Sequence, residues 1–182
     1  MSDFSEASAS VQSQDDILIS AAAKKEIDQW LKKYPADQKR SALLMALRVV
    51  QEEHGGWLTN AHMDAVAQYL KLPEIAVYEV ATFYKMYNLQ PVGKHRIAVC
   101  NNISCMLNGS EDVIKHLEDR LGIQHGETTA DGCFTLKETE CLAACVQAPV
   151  LQINDKDYYE NLTPEKIDAL LEKLKNKEAS HE

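Results

Sequence analysis

The sequence has no apolar run approaching the ~20 residues that a membrane-crossing helix needs, so no segment of it reads as a membrane span. Met1 to Asp16 contains neither Lys nor Arg and no apolar core. That excludes a secretory signal and argues against an Arg-rich transit peptide, so the chain is expected to be cytosolic or a mature form already processed. Positive charge is scarce: 19 Lys and Arg against 28 Asp and Glu leave a net charge of −9. A nucleic-acid binder needs basic surface to meet phosphate, and anionic lipid repels an acidic chain, so the balance argues against both functions.

Several chemistries are missing as well. There is no G-x-G-x-x-G, no Walker sequence and no Ser–His–Asp candidate, so no nucleotide site or acyl-transfer site is expected on this chain. His54, His62, His95, His116, His125 and His181 are scattered, and none forms a metal-binding or acid–base group with a neighbour. No C-x-x-C occurs, which removes the dithiol exchange that such a pair performs. No catalytic residue is assigned.

What is present is the composition of a soluble globular protein, 45% hydrophobic and 26% charged over 182 residues, long enough for one ordinary domain or two small ones. Residues 1–17 are polar with little to bury and read as a disordered arm. Ser20 caps a helix through Tyr34, which Pro35 ends. A second helix is expected from about Asp37 to Glu53, with Leu43, Leu44, Leu47 and Val50 inward, broken by Gly55-Gly56. Thr59 opens a third with Met63, Val66, Ala67 and Leu70 inward. Pro73 opens a fourth, carrying Val77, Val80, Ala81 and Tyr84 inward to about Tyr87. The run Phe83, Tyr84, Met86 and Tyr87 reads as core or interface packing. These helices form an N-terminal bundle over residues 18–90.

The texture changes at Gln90-Pro91-Val92-Gly93, the expected domain boundary. A strand at His95–Val99 runs directly into Cys100. A loop over 101–109 and a helix capped by Ser110, running to Leu121, follow. Further strands are expected at Phe134–Glu140, Val150–Ile153 and Tyr158–Tyr159, and a last helix from Thr163-Pro164-Glu165. The order suits a mixed sheet in a thioredoxin-like layout spanning 91–176, with 177–182 as a flexible tail. The whole chain is α+β.

Four of the five cysteines form two close pairs, Cys100/Cys105 as C-x4-C and Cys141/Cys145 as C-x3-C. In a reducing compartment such pairs are more often metal ligands or redox centres than cross-links. Thiolate is a soft donor, and four of them select zinc or iron–sulfur. Structural zinc favours tighter C-x2-C knuckles. A binuclear iron–sulfur cluster suits two pairs in separate loops, one for each iron. No histidine stands beside either pair, so a Rieske-type centre is not supported. Spacing favours iron–sulfur and leaves zinc or unliganded thiols open. Cys133, eight residues before Cys141, reads as a small residue at a strand edge.

The segments Val92–Cys100, Cys105–Ser110, Gly126–Gly132, Phe134–Leu136, Glu140–Cys145 with Ala148-Pro149, Tyr158–Thr163 and Ala81–Tyr84 together resemble the 24 kDa-type subunit family of respiratory NADH–quinone oxidoreductase (complex I). The resemblance covers about residues 20–175. It implies a helical N-terminal part followed by a thioredoxin-like ferredoxin domain that holds one [2Fe–2S] cluster. Cys100, Cys105, Cys141 and Cys145 take the four ligand places, the first two on one iron and the last two on the other, with Cys133 a bystander. Ala143-Ala144 stands where such proteins often have a Gly.

The resemblance further implies a subunit, not catalytic alone, of an H+-translocating oxidoreductase, packed against a flavoprotein subunit that binds NADH and FMN. It also implies that no substrate binds this chain and that its cluster serves to hold one electron temporarily. All-cysteine ligation implies a potential on the order of −400 mV, tuned by backbone N–H groups from 101–109 and 142–148. The implied location is cytoplasmic, or the matrix side if mitochondrial, peripheral to the inner membrane. Alternatives are the equivalent subunit of an NAD-reducing hydrogenase or NAD-linked formate dehydrogenase and, from another class, a zinc-stapled interaction protein.

Overall fold

A computed structural model describes residues 18–179, with side chains through 176; the expected arm, 1–17, lies outside the described residues. The chain divides into two compact units between Gln90 and Pro91.

In the first unit, Ser20 accepts a hydrogen bond from the Ala23 N–H at 3.1 Å and starts helix α1, Ala21–Leu31. A 3-10 turn over Lys39–Ala42 leads into α2, Leu43–Glu53. The α-helix therefore begins later than the expected Asp37, because no side chain caps the Gln38 and Ala42 ends and a tight turn takes up the entry instead. Helix α3, Asn60–Leu70, starts with a reciprocal cap: Thr59 Oγ1 accepts from the His62 N–H, and His62 Nδ1 accepts from the Thr59 N–H, each at 3.1 Å. Helix α4 covers Glu74–Phe83.

Ile27, Leu47, Val50, Val66 and Val77 are fully buried and share one core with Leu43, Met63, Leu70 and Ala81. Two buried amides then fasten the return segment. Gln51 Nε2 donates to the Met86 carbonyl at 3.0 Å and its Oε1 accepts from the Asn88 N–H at 2.7 Å, while Asn88 Nδ2 donates to the Gly56 carbonyl at 2.8 Å. Tyr87 joins this core, its hydroxyl donating to the Leu44 carbonyl at 2.7 Å. Tyr84, expected inward, is 41% exposed, and Phe83 is 78% exposed. The helix ends at Phe83, so residues 84–87 leave its periodicity and only Tyr87 turns in.

The second unit is built on four strands: β1 (His95–Cys100), β2 (Phe134–Thr139), β3 (Leu151–Ile153) and β4 (Asp157–Tyr159). Their order is β2-β1-β3-β4, with β1 parallel to β2 and antiparallel to β3, and β3 antiparallel to β4. The β3–β4 turn uses Asn154 and Asp155 at positive φ, which these two residue types tolerate best after glycine. Helices α5 (Ile103–Leu107) and α6 (Ser110–Leu121) follow β1, and α7 (Pro164–Ala179) closes the unit. Helix α7 enters the segment set apart as a tail, whose last three residues lie outside the described residues.

Two local expectations are corrected here. The loop over 101–109 contains the short helix α5, capped by Asn102, whose side chain accepts from the Ile103 N–H at 2.8 Å. Gly109, at φ 88, caps α6; Ser110 is its first residue and is fully buried. The core packs Ile97, Val99, Phe134, Leu136 and Leu151 of the sheet with Val113, Leu117, Ile167 and Leu171 of the helices. Gly93 is required where the chain enters: a Cβ there would stand 2.8 Å from the Phe134 carbonyl carbon. His116 Nε2 at 3.0 Å and Arg120 Nε at 2.8 Å both reach Asp168, tying α6 to α7.

Candidate metal centre

The sheet register decides where the thiols go. Because β1 and β2 are parallel and Cys100 pairs with Thr139, both strands end at the same edge. Cys100 is the last residue of β1, and Cys141 lies two residues beyond the end of β2. Antiparallel β3 starts at that same edge, so the segment leading into it, with Cys145 in a 3-10 turn over Cys145–Gln147, is brought there too. Main-chain bonds seal the edge: Cys100 N–H to the Val150 carbonyl and Asn101 N–H to the Thr139 carbonyl, both 3.0 Å. Three strand ends thus converge on one loop cluster.

The two pairs differ in exposure. Cys100 and Cys105 are 3% and 2% exposed and pack on Val150, with Leu142, Ala144 and Ala148 partly buried against them. Cys141 and Cys145 are exposed. None of the five cysteines is in a disulfide. Burial pushes the Cys105 thiol up to about 11, and the hydrogen bond with Cys100 and the nearby Cys145 sulfur add to the rise. The structure therefore brings Cys100, Cys105 and Cys145 into mutual influence. In the thiol form Cys100 Sγ donates to the Glu140 carbonyl at 3.7 Å. Among the described residues no three His, Cys, Asp or Glu side chains already converge as a single-ion site.

Around these sulfurs lie groups that a spacing argument does not reveal. The Ala143 N–H donates to Cys141 Sγ at 3.3 Å, which places one main-chain dipole on a sulfur from the segment expected to supply such donors. Ala143 does so at φ 58, a conformation that costs a non-glycine residue on the order of 1 kcal/mol. Ser104 Oγ donates to the Cys145 carbonyl at 3.3 Å, and Asn108 Nδ2 donates to the Ser104 carbonyl at 2.7 Å. Helix α5 is thereby linked to the segment carrying the second pair. The Asn102-x-Ser104 polar spacing was the available signal, since Asn before an apolar stretch caps a helix.

Cys133 is elsewhere. It precedes Phe134, at the opposite end of β2 from Cys141, and its carbonyl accepts from the His95 N–H at 2.8 Å. It is half-buried beside the main core of the unit.

The donor set fits a [2Fe–2S] group. Four thiols from two chain segments, with no nitrogen donor among them, match the donors of an all-thiolate iron–sulfur site, and the apolar floor and the peptide N–H directed at a sulfur are features that tune one. The buried pair must lose protons to bind iron, because only the thiolate is a ligand.

Residues 27–175 match the family model of the thioredoxin-like [2Fe-2S] ferredoxins. The chain is 53% identical over 146 residues to the E-type subunit of the NADH-quinone oxidoreductase of Rickettsia bellii (strain RML369-C), covering 80% of this chain and 87% of that protein. It is 46% identical over 152 residues to the E-type subunit numbered 2 of the NADH-quinone oxidoreductase of Rhizobium meliloti (strain 1021), covering 84% and 88%. Among solved structures it is similar to the air-oxidized NAD+-reducing [NiFe]-hydrogenase at 26% identity and a TM-score of 0.64, over 74% of this chain and 23% of the hydrogenase chain.

Proposed function

The chain belongs to the thioredoxin-like [2Fe–2S] ferredoxin family, and on that basis we propose that Cys100 and Cys105 hold one iron of the cluster and Cys141 and Cys145 the other. The protein is the E-type electron-transfer subunit of an NADH–quinone oxidoreductase, part of a multi-subunit complex. The observation that carries this reading is the convergence of two thiol pairs on one sheet edge, in a chain about half identical to such E-type subunits over four-fifths of its length. The zinc-stapled alternative left open by spacing has no counterpart in the family's cofactor.

When bound, the cluster supplies a one-electron carrier. The chain's own residues supply the rest. Cys100 and Cys105 anchor it in a water-poor floor with Val150, and the exposed Cys141 and Cys145 turn its other side outward. Ile103, Leu107 and Val146, at 68%, 75% and 94% exposure, stand beside the cysteines as large apolar side chains left in water. Large apolar side chains left in water support a reading in which a partner covers the redox face. The partner in this reading is the flavoprotein subunit that binds NADH and FMN, with electron exchange across this face. No described helix is long and apolar enough to cross a membrane. We place the protein in the peripheral arm, on the cytoplasmic side of the inner membrane or the matrix side if mitochondrial.

Anaerobic purification should give red-brown protein with two irons and two acid-labile sulfides per chain, and the dithionite-reduced protein should show one [2Fe–2S] EPR signal. Colourless protein with one zinc and no labile sulfide would sink the assignment. The hydrogenase likeness supports one second reading, the equivalent subunit of an NAD-reducing hydrogenase. Affinity purification from membranes separates the two: quinone-reducing membrane subunits accompany the chain in the first case, a nickel–iron subunit in the second.

A further inference from the structure

Asn101 comes directly after Cys100, in the first position beyond β1, and it grips the end of β2 twice. Its main-chain N–H donates to the Thr139 carbonyl at 3.0 Å, which continues the parallel ladder beyond the Cys100–Thr139 pair. Its side-chain Nδ2 donates to Glu138 Oε2 at 2.6 Å. Any residue can make the first contact, whereas the second is particular to an amide facing a carboxylate. A hydrogen bond that ends on an ionised oxygen is shorter and stronger than one between neutral groups. This one is partly buried, where water competes less for it.

The two residues hold corresponding places in the two thiol segments. Asn101 stands inside the first pair: Cys100 precedes it, and Asn102 after it caps helix α5, which carries Cys105. Glu138 stands just before the second pair, three residues ahead of Cys141. Residues 140–144 have no helix or strand of their own, and Cys141 is exposed, so the sheet holds that segment only as far as Thr139. Glu138 is steadied from its other oxygen as well. Its Oε1 lies 3.6 Å from His125 Nδ1, and the His125 N–H donates to Glu118 Oε1 at 3.1 Å. His125 is 59% exposed, so that side contact is the weaker of the two.

We propose that Asn101 and Glu138 are positioning residues for the iron–sulfur site, a side-chain clamp that fixes the Cys100/Cys105 segment against the Cys141/Cys145 segment. The inference rests on the reading of this chain as a [2Fe–2S] protein. Neither residue is a ligand. The clamp keeps the four sulfurs together, which favours retention of the cluster, and it keeps the two pairs in one relative orientation, to which the g values of the reduced cluster respond.

The test uses the full chain loaded with its cluster. It reads the half-life of the visible absorbance in excess EDTA and the EPR g values after dithionite reduction, with far-ultraviolet circular dichroism as the check on folding. Asn101→Ala should shorten the half-life by about tenfold or more, the size of loss that removing a supporting hydrogen bond brings to metal affinity, and should shift the g values at unchanged helicity. Asn101→Asp keeps the size of the side chain but sets two carboxylates against each other, so its loss should be larger. Adding Glu138→Gln to Asn101→Asp restores a donor facing an acceptor with the polarity reversed, and both readouts should move back toward the wild type. A general weakening of the sheet edge would not be reversed by that second change. Wild-type half-life and g values in both Asn101→Ala and Asn101→Asp overturn the proposal, and so does a double variant no better than Asn101→Asp alone. Should Asn101→Ala lose helicity, Glu138→Ala carries the same expectation from the other side of the bond. A wild-type chain that holds no iron–sulfur cluster ends the [2Fe–2S] reading itself, whereas a wild-type cluster that these variants leave untouched ends only the clamp.

Discussion

The helical unit and the sheet unit handle polar groups in opposite ways. In the helical unit, Gln51, Asn88, Thr59 and His62 are satisfied by one another or by main chain, and each serves to close a helix or fasten a segment. In the sheet unit the strand ends bring four thiols to one edge, two of them sealed in and two exposed. That contrast shows where chemistry can reside. A helix bundle closes its core on itself, whereas a sheet whose strands end together presents several loops to one place.

The largest test of that contrast is removal of the thiols. Cys→Ser at position 100, 105, 141 or 145 should each abolish the [2Fe–2S] EPR signal while far-ultraviolet helicity persists. A retained spectrum in any one of them removes that residue from the ligand set. On the other side, Leu47→Ala in the helical core should cost about 2–5 kcal/mol of unfolding free energy, measured by urea denaturation, because a fully buried leucine leaves a cavity. Its visible spectrum at low urea should be that of the wild type. A bleached Leu47→Ala protein would mean that the two units are not separable in this way.

A smaller effect is expected at the α3 cap. Thr59→Ala removes the side-chain acceptor for the His62 N–H and should cost about 1 kcal/mol. The same cap makes the helical unit acid-sensitive. Burial holds the His62 imidazole below its ordinary 6.5, the stacked His54 ring 4.0 Å away acts in the same direction, and Glu53 opposes them. The neutral ring is also the one whose Nδ1 can accept from Thr59. A histidine with a lowered pKa takes up its proton more readily when unfolded, so stability is full above pH 6.5 and is lost as pH falls through the folded value. Melting temperatures between pH 8 and pH 5 should show that loss, and His62→Gln should flatten it. The smallest effect belongs to Cys133→Ser, which should leave the EPR spectrum unchanged; a lost signal there would overturn the ligand assignment.

Much of this molecule is legible in its sequence. The four thiols stand out by pairing alone, and Ser20, Thr59, Gly55-Gly56 and Thr163-Pro164 mark helix ends through local chemistry. Other features were not legible because local signals competed. Ser110 resembles a cap, but Gly109 can take the left-handed conformation and does so, freeing Ser110 to be buried. Asn102 signals a helix start, but a five-residue helix is too short to show periodicity. Tyr84 continues an inward pattern that the end of α4 at Phe83 interrupts.

Residue type and spacing were enough to set the donor chemistry: they make a four-thiol site available and supply no nucleotide or hydrolytic motif. Three outcomes waited on tertiary contacts. The parallel β1–β2 pairing brings Cys100 and Cys141 to one edge, the Cys100/Cys105 pair becomes the buried one, and Phe83 is left in water. Each of those depends on partners distant along the chain, and a local pattern carries no record of which distant segment will cover it.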